Sequence, residues 1–284
     1  MHVLRTLAGV VSLDDEFRVA LGQGDAETPL DAEQRIKAAH ALAQHPEFRA
    51  ELRKRTLEET KRGVRESFTE DQLAIASIRL IEDLDRGISM LGKRFHEWYG
   101  LAFPAAAHAA EPDAAIRAAL SGFPDDEAMS AALQKEDLEH IKAVAAALDD
   151  LRAFRERESH ALEEKMRAIC PNITAIAGAG IGAKLLSKAG SLQRLATLPS
   201  GTVQMLGAEQ ALFRHLRNRN ARPPKYGILH EHPLILTAKR SDHGKVARAL
   251  ADKLSLAARV DYFKGEFIGD QLRAKLDERF GSRP

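Results

Sequence analysis

The amino-acid sequence predicts a mainly α protein, and three observations carry that expectation. Alanine is abundant while aromatic residues make up only 5% of the 284 positions, a balance that favours long helices over a β-sandwich. Apolar residues recur by threes and fours through Ile81, Leu84, Ile88, Leu91, Phe95 and Trp98, the seam of an amphipathic helix. Two such stretches flank an Ala-, Pro- and Asp-rich segment, which reads as an antiparallel helical hairpin. The expected order is a small N-terminal region over 1–65, a long antiparallel coiled-coil hairpin over 66–170, and a compact helical C-terminal domain over 171–284.

In the N-terminal region Gly22, Gly24 and Pro29 mark loops. Thr28-Pro-Leu-Asp31 precedes a helical run through AEQRIKAAHALA. VLRTLAGVV suits the start of either a strand or a helix. The first long helix is expected from Asp71 to Tyr99, ended by Gly100 and Pro104. A tip follows to about Asp126, and a second helix from Asp125 to Ile169. Its apolar positions form two seams, Leu138, Ile141, Ala145 and Leu148, then Leu162, Met166 and Ile169, with Arg155 and Glu158 between them. The Ile81-to-Trp98 seam is longer than a small domain needs, so self-association through the hairpin is expected, with Ile81, Leu84, Ile88 and Leu91 in the dimer contact. Cys170-Pro171 closes the hairpin, because the residue before proline avoids the helical region.

Charge divides the chain. From Pro171 onward there are 19 Lys and Arg against 9 Asp and Glu, a net of +10. The first 170 residues hold 23 basic against 32 acidic, a net of −9, leaving +1 overall. Such an asymmetry points to a polyanionic partner for the basic part. One cysteine, Cys170, forms no internal disulfide and suits a reducing cytoplasm. No secretory signal is read in MHVLRTLAGVVSL, since Asp14, Asp15 and Glu16 follow at once. No stretch approaches the ~20 apolar residues of a membrane helix.

Several clusters invite a chemical reading. Gly178, Gly180 and Ala183 in Asn172-ITAIAGAGIGAKLL imitate a dinucleotide-binding turn. That turn needs a preceding strand and an acidic residue about 20 positions on; here a helix precedes, and the next acidic residue is Glu209. Close helix packing and a helix-hairpin-helix phosphate site are the other two readings. A stronger run spans Gly207 to Gly227, GAEQALFRHLRNRNARPPKYG. On a helix from about Ala208, Arg214 and Arg217 lie close together beside Phe213 and His215, and Arg219, Arg222 and Lys225 extend the positive track. Guanidinium forks match phosphate, and an aromatic ring can stack on a base. A solvated basic helix with Phe213 in the core is the plainer alternative. Lys239, Arg240, Lys245 and Arg248 flank an Asp-His-Gly turn that should start a packed helix. Between Gln210 and Arg259 there are 11 basic residues against 3 acidic, a field that attracts phosphate at long range. His230 and His232 in LHEHP lack the helical spacing of a zinc pair, and no third ligand is evident. No nucleophile elbow or paired carboxylates suggest catalysis, so no metal, cofactor or enzymatic activity is expected.

At these residues the chain resembles the Nop-domain proteins of box C/D guide ribonucleoproteins, over about residues 50–284. The resemblance runs through Glu82-Asp-Leu-Asp85, Glu97-Trp-Tyr-Gly-Leu-Ala-Phe-Pro104, Cys170-Pro-Asn-Ile-Thr-Ala and Leu206-Gly-Ala-Glu-Gln-Ala-Leu-Phe-Arg-His-Leu216. It continues in Pro223-Pro-Lys-Tyr-Gly227, His232-Pro233 and Ala257-Ala-Arg-Val-Asp-Tyr-Phe263. It implies an RNA-binding scaffold for ribose 2′-O-methylation, with a Nop domain at the C-terminus. Its implied partners are a box C/D guide RNA with a kink-turn, a ribosomal-type kink-turn-binding protein, the methyltransferase fibrillarin and a second copy of the chain. Gly207, Ala208, Glu209 and Gln210 correspond to the family's Gly-Ala-Glu-Lys element at the protein–RNA junction, with Gln210 in place of lysine. Ala211 through Arg214 correspond to its Ala-Leu-Phe-Arg element, which caps the guide–target duplex. The region before the coiled coil is shortened, which bears on fibrillarin docking. No lysine-rich tail follows Pro284, so the resemblance is to archaeal-type members. A helix-hairpin-helix DNA-binding protein and a nucleotide-dependent enzyme are the competing classes.

Overall fold

The computed structural model describes residues 2–14, 16, 18–21, 29–109, 112–123 and 133–280. The chain forms two compact units, 1–69 and 70–284. In the first, VLRTLAGVV resolves as strand rather than helix. Strands β1 (His2–Thr6), β2 (Gly9–Leu13) and β3 (Val19–Leu21) make an antiparallel meander in that order. Thr6 pairs with Gly9, so Leu7 and Ala8 form a two-residue hairpin loop, with Gly9 at φ +115°. Helix α1 (Ala32–Gln44) starts where Asp31 Oδ1 accepts from Gln34 N and the Gln34 side chain accepts from Asp31 N, a capping box. Val11 and Leu13 are fully buried, packed with Leu42, Phe48, Leu30 and Ala38. Helix α2 (Pro46–Ser67) contributes Phe48 to this core and is exposed beyond Leu52.

The second unit is built on two long helices, α3 (Glu70–Ala102) and, after two short ones, α6 (Lys135–Ile169). They run antiparallel: Lys165 Nζ donates to Ser77 Oγ at 3.0 Å, and Arg155 Nε donates to Asp85 Oδ1 at 2.9 Å. The structure corrects the expected ends. Helix α3 continues past Gly100, and α4 (Pro104–Ala109) and α5 (Pro112–Ser121) occupy the segment expected to be a tip loop. Helix α6 begins at Lys135, not Asp125; residues 124–132 lie outside the described ones. Ala107, Ala115 and Ala119 let the short helices approach Phe95, Tyr99, Ile116, Ile141 and Leu148, which form a distal core. Phe95 and Tyr99 rings stack at 5.6 Å, and Tyr99 meets Phe103 at 5.3 Å.

The apolar seam of α3 divides between two faces. Ile81 is 5% exposed and packs with Ala74, Ile75 and Ile78 into the C-terminal core. Leu84 and Ile88 are half-buried, beside the polar Asp85–Arg155 crossing that separates the distal core from the basal one. Leu91 and Trp98 lie on the outer face, 41% and 48% exposed. Leu73 and Leu80 share that face, since offsets of seven, eleven and seven residues return close to the same angle on a helix.

The C-terminal body consists of α7 (Pro171–Ala189), α8 (Leu192–Thr197), α9 (Ser200–Met205), α10 (Glu209–Arg217), a 3-10 turn (Ile228–Glu231), α11 (Pro233–Leu236), α12 (His243–Tyr262) and α13 (Gly269–Phe280). Its core is continuous with the hairpin base through Leu162, Met166 and Cys170. Cys170 is therefore a helix boundary with a shared core on both sides. Two buried carboxylates tie the parts together. Asp261 Oδ1 accepts from Asn172 N and Nδ2, and its Oδ2 accepts from Ile173 N. Those bonds satisfy donors at the start of α7 that the helix itself leaves open. Asp71 Oδ2 accepts from Leu192 N at 2.6 Å.

The glycine cluster has a structural role. Gly178, at φ +75° and ψ 163°, breaks α7 into two segments. A Cβ on Gly182 would lie 2.9 Å from Ile173 Cγ2 and 3.0 Å from Met166 Cε, so glycine there permits close packing. The segment before Gly178 is helix, not strand, which removes the dinucleotide-turn reading.

Candidate nucleic-acid interface

The 207–226 segment leaves the core and returns to it through a narrow neck. Gly227 N donates to Gln204 O at 2.9 Å, Ile228 N to Leu206 O at 2.8 Å, and Gln204 Nε2 to Lys225 O at 2.6 Å. Both glycines of the motif are required by this closure. Gly207 has φ +86°, in the left-handed region. A Cβ on Gly227 would fall 1.8 Å from Leu206 O, a backbone clash that no side-chain movement relieves.

Helix α10 lies within this excursion and has no buried residue. Phe213 is 58% exposed and Leu216 52%, so the plainer alternative of a core Phe213 fails. Gln210, Phe213, Arg214, Arg217 and Asn218 line one surface groove, the i, i+3, i+4 face of a helix. Ala208 is half-buried, and Glu209 Oε1 accepts from Gly207 N at 2.7 Å. His215 turns inward: its Nδ1 lies 2.6 Å from Ala221 O and holds the chain after the helix.

Arg222 and Lys225 are exposed beyond α10, as are Lys239, Arg240, Lys245 and Arg248 at the start of α12. Of these and the two groove arginines, Lys245 alone has a carboxylate partner among the described residues, Asp242 at 3.0 Å. That neighbour holds the Asp242 carboxyl below its ordinary value, through hydrogen bond and charge. By contrast five of the eight hairpin arginines, Arg86, Arg94, Arg152, Arg155 and Arg167, meet carboxylates. Unpaired exposed cations beside an exposed aromatic ring suit phosphate and base contact.

The histidines of LHEHP diverge. His230 Nδ1 lies 2.9 Å from Gly227 O. His232 Nε2 lies 3.0 Å from Ile176 O, and Leu234 N donates to its Nδ1 at 3.2 Å. Burial pushes the His232 ring below its ordinary pKa, keeping it neutral for both bonds. Glu231 pairs with Lys184 at 2.6 Å. No three metal-ligating side chains converge among the described residues. Cys170 is buried, and desolvation pushes its thiol up. No described helix is long and apolar enough to cross a membrane.

Tyr226 and His243, in two motifs that the sequence leaves unconnected, meet beside the basic face. Tyr226 OH lies 3.2 Å from His243 Nδ1, and His243 Nε2 lies 3.0 Å from Ala238 O. Seventeen residues separate them, and no periodicity links them.

Residues 106–282 match the Nop family, described as "snoRNA binding domain, fibrillarin". An uncharacterized NOP5 family protein of Methanocaldococcus jannaschii is 35% identical over 83% of this chain and 63% of its own length. Nucleolar protein 58 of Scheffersomyces stipitis is 35% identical over 75% of this chain. The alignment spans 47% of that fungal relative. A crystal structure of a fibrillarin/Nop5p complex contains a similar chain at TM-score 0.51 and 25% identity, covering 98% of both. With a match across well over half its length and relatives at this identity, the chain belongs to the Nop family.

Proposed function

We propose that this chain is the non-catalytic RNA-binding scaffold of a box C/D guide ribonucleoprotein directing ribose 2′-O-methylation. The observation that carries the reading is α10, a helix projecting from the body with Phe213, Arg214 and Arg217 unburied and the arginines unpaired. A polyanion that also offers a base face satisfies both residue types. In this reading Gly207 to Gln210 sit at the protein–RNA junction, and Phe213 stacks at the end of the guide duplex. Arg214, Arg217, Arg222, Lys225, Lys239, Arg240, Lys245 and Arg248 face phosphates. The RNA is a kink-turn carrying its small ribosomal-type protein. The 1–65 region docks fibrillarin, a role supported by the similarity to the fibrillarin/Nop5p chain over 98% of both lengths. The 66–170 hairpin pairs with a second copy.

Reconstitution tests this. The purified chain with S-adenosylmethionine and a guided target should transfer no methyl group. Transfer should require fibrillarin, the guide RNA and the kink-turn protein together. Methylation by the chain alone, or a complete particle that works equally well without the chain, contradicts the reading.

A further inference from the structure

The basic face comes from two segments separate in the sequence, 218–227 and 238–248. Each is held at its base by a separate part of the core. The first is anchored by Gln204, whose Nε2 donates to Lys225 O at 2.6 Å. The second enters α12, whose Val246 and Leu250 are fully packed. Tyr226 of the first and His243 of the second meet where the segments touch. Tyr226 is half-buried, and its ring lies between two imidazoles, parallel to His230 at 6.3 Å and tilted against His243 at 5.8 Å.

The bonds define the tautomer. Ala238 O accepts only, so His243 Nε2 carries the proton and donates at 3.0 Å. The bare Nδ1 then accepts from Tyr226 OH at 3.2 Å. One imidazole thereby joins the residue after Lys225 to the residue before Lys239. Lys245 follows two positions after His243, and Arg222 leads into the stiff Pro223-Pro224 pair.

We propose that Tyr226 and His243 are positioning residues, a clasp that holds the two basic segments in one register. Lys225, Lys239, Arg240 and Lys245 then face consecutive phosphates of a single RNA backbone. This rests on the RNA-binding reading above and adds residues that touch no RNA. Preorganised cations bind phosphate without first losing chain entropy. Two untethered loops would each have to be ordered on contact.

Tyr226→Phe tests the clasp, because it removes one hydroxyl and keeps the ring and every charge. The probe is a labelled kink-turn RNA carrying its ribosomal-type protein, titrated at several salt concentrations. Affinity should fall about 5- to 10-fold, the effect of losing one ordering hydrogen bond. The slope of log K against log salt should shrink by about one as a cation leaves its phosphate. His243→Gln should reproduce both changes, and the double variant should be no worse than the weaker-binding single one. Melting temperatures of both variants should stay near that of the unmutated protein. Lys225→Ala and Lys245→Ala, with the clasp intact, report on the underlying reading: each should reduce the slope by about one. If they do while Tyr226→Phe binds within about twofold at an unchanged slope, the clasp is overturned and the RNA reading stands. Lysine variants with unchanged slopes overturn both. A large fall in melting temperature for both clasp variants assigns Tyr226 and His243 to fold stability and overturns the proposal.

Discussion

At the scale of single residues, the family motifs divide into side chains that build the body and side chains that leave it. Asp261, within Ala257-Ala-Arg-Val-Asp-Tyr-Phe263, gives both carboxylate oxygens to the first turn of α7. His232, ahead of Pro233, caps two backbone groups, one of them the Ile176 carbonyl two residues before the Gly178 break. Phe213 and the arginines of α10 leave the body, and they are the positions proposed to meet RNA. The neutral state of His232 gives a prediction with a definite sign. Its folded pKa lies below the ordinary 6.5 because burial disfavours the cation. Its stabilising contribution is therefore fully present above about pH 6.5 and is lost as pH falls through the depressed folded value. Comparing melting temperatures of the unmutated protein and His232→Gln from about pH 8 to about pH 5, the unmutated protein should lead at the alkaline end. The gap should close toward the acid end. A gap that stayed constant or widened on acidification would show that the ring is not held neutral.

At the scale of elements, the hairpin shows what periodicity reveals and what it leaves out. The run from Ile81 to Trp98 announces a helix, and α3 contains all of it. Periodicity did not say how many partners share the helix. Ile81 and Phe95 pack within the chain while Leu91 and Trp98 remain outside. The tip helices α4 and α5 carry no long apolar repeat that would mark them in the sequence. Their packing depends on the distal core of Phe95, Tyr99 and Ile141, which only the closed hairpin creates. Nothing in the sequence marks helix α2, because Leu57 and Val64 are 50% and 64% exposed and trace no buried stripe. The residue types of the candidate interface are legible in the sequence at Phe213, Arg214 and Arg217, which the structure leaves unburied. Tyr226 and His243 are not legible, since nothing local marks two side chains that meet across the fold.

The exposed face of α3 bears on self-association. Leu91→Glu places a charge on the outer face, where Leu73, Leu80 and Trp98 accompany it. It should convert a dimer to a monomer, read as mass by light scattering, with helix content unchanged. Ile81→Glu should instead destabilise the chain, by several kcal/mol, because it buries a charge in the shared core. An unmutated protein that is already monomeric, or a Leu91→Glu protein that remains a dimer, contradicts pairing through this face.

At the scale of the whole molecule, charge and architecture coincide. The part of the chain from Pro171 onward carries 19 basic against 9 acidic residues, and its exposed cations are mostly unpaired. The preceding part is acidic overall and engages most of its hairpin arginines in ion pairs. This charge division favours a polyanion at the C-terminal body over the helices proposed to pair. The proposed function requires that this body bind RNA through many phosphate contacts at a kinked site. Its most direct test is the affinity of the intact chain for a partner-loaded kink-turn RNA between about 50 and 200 mM salt, with an unkinked duplex as comparison. About six phosphate contacts should reduce affinity on the order of 10³-fold over that range. The kink-turn complex should bind more tightly than the duplex throughout. A flat salt dependence, or equal affinity for the two RNAs, would contradict the account.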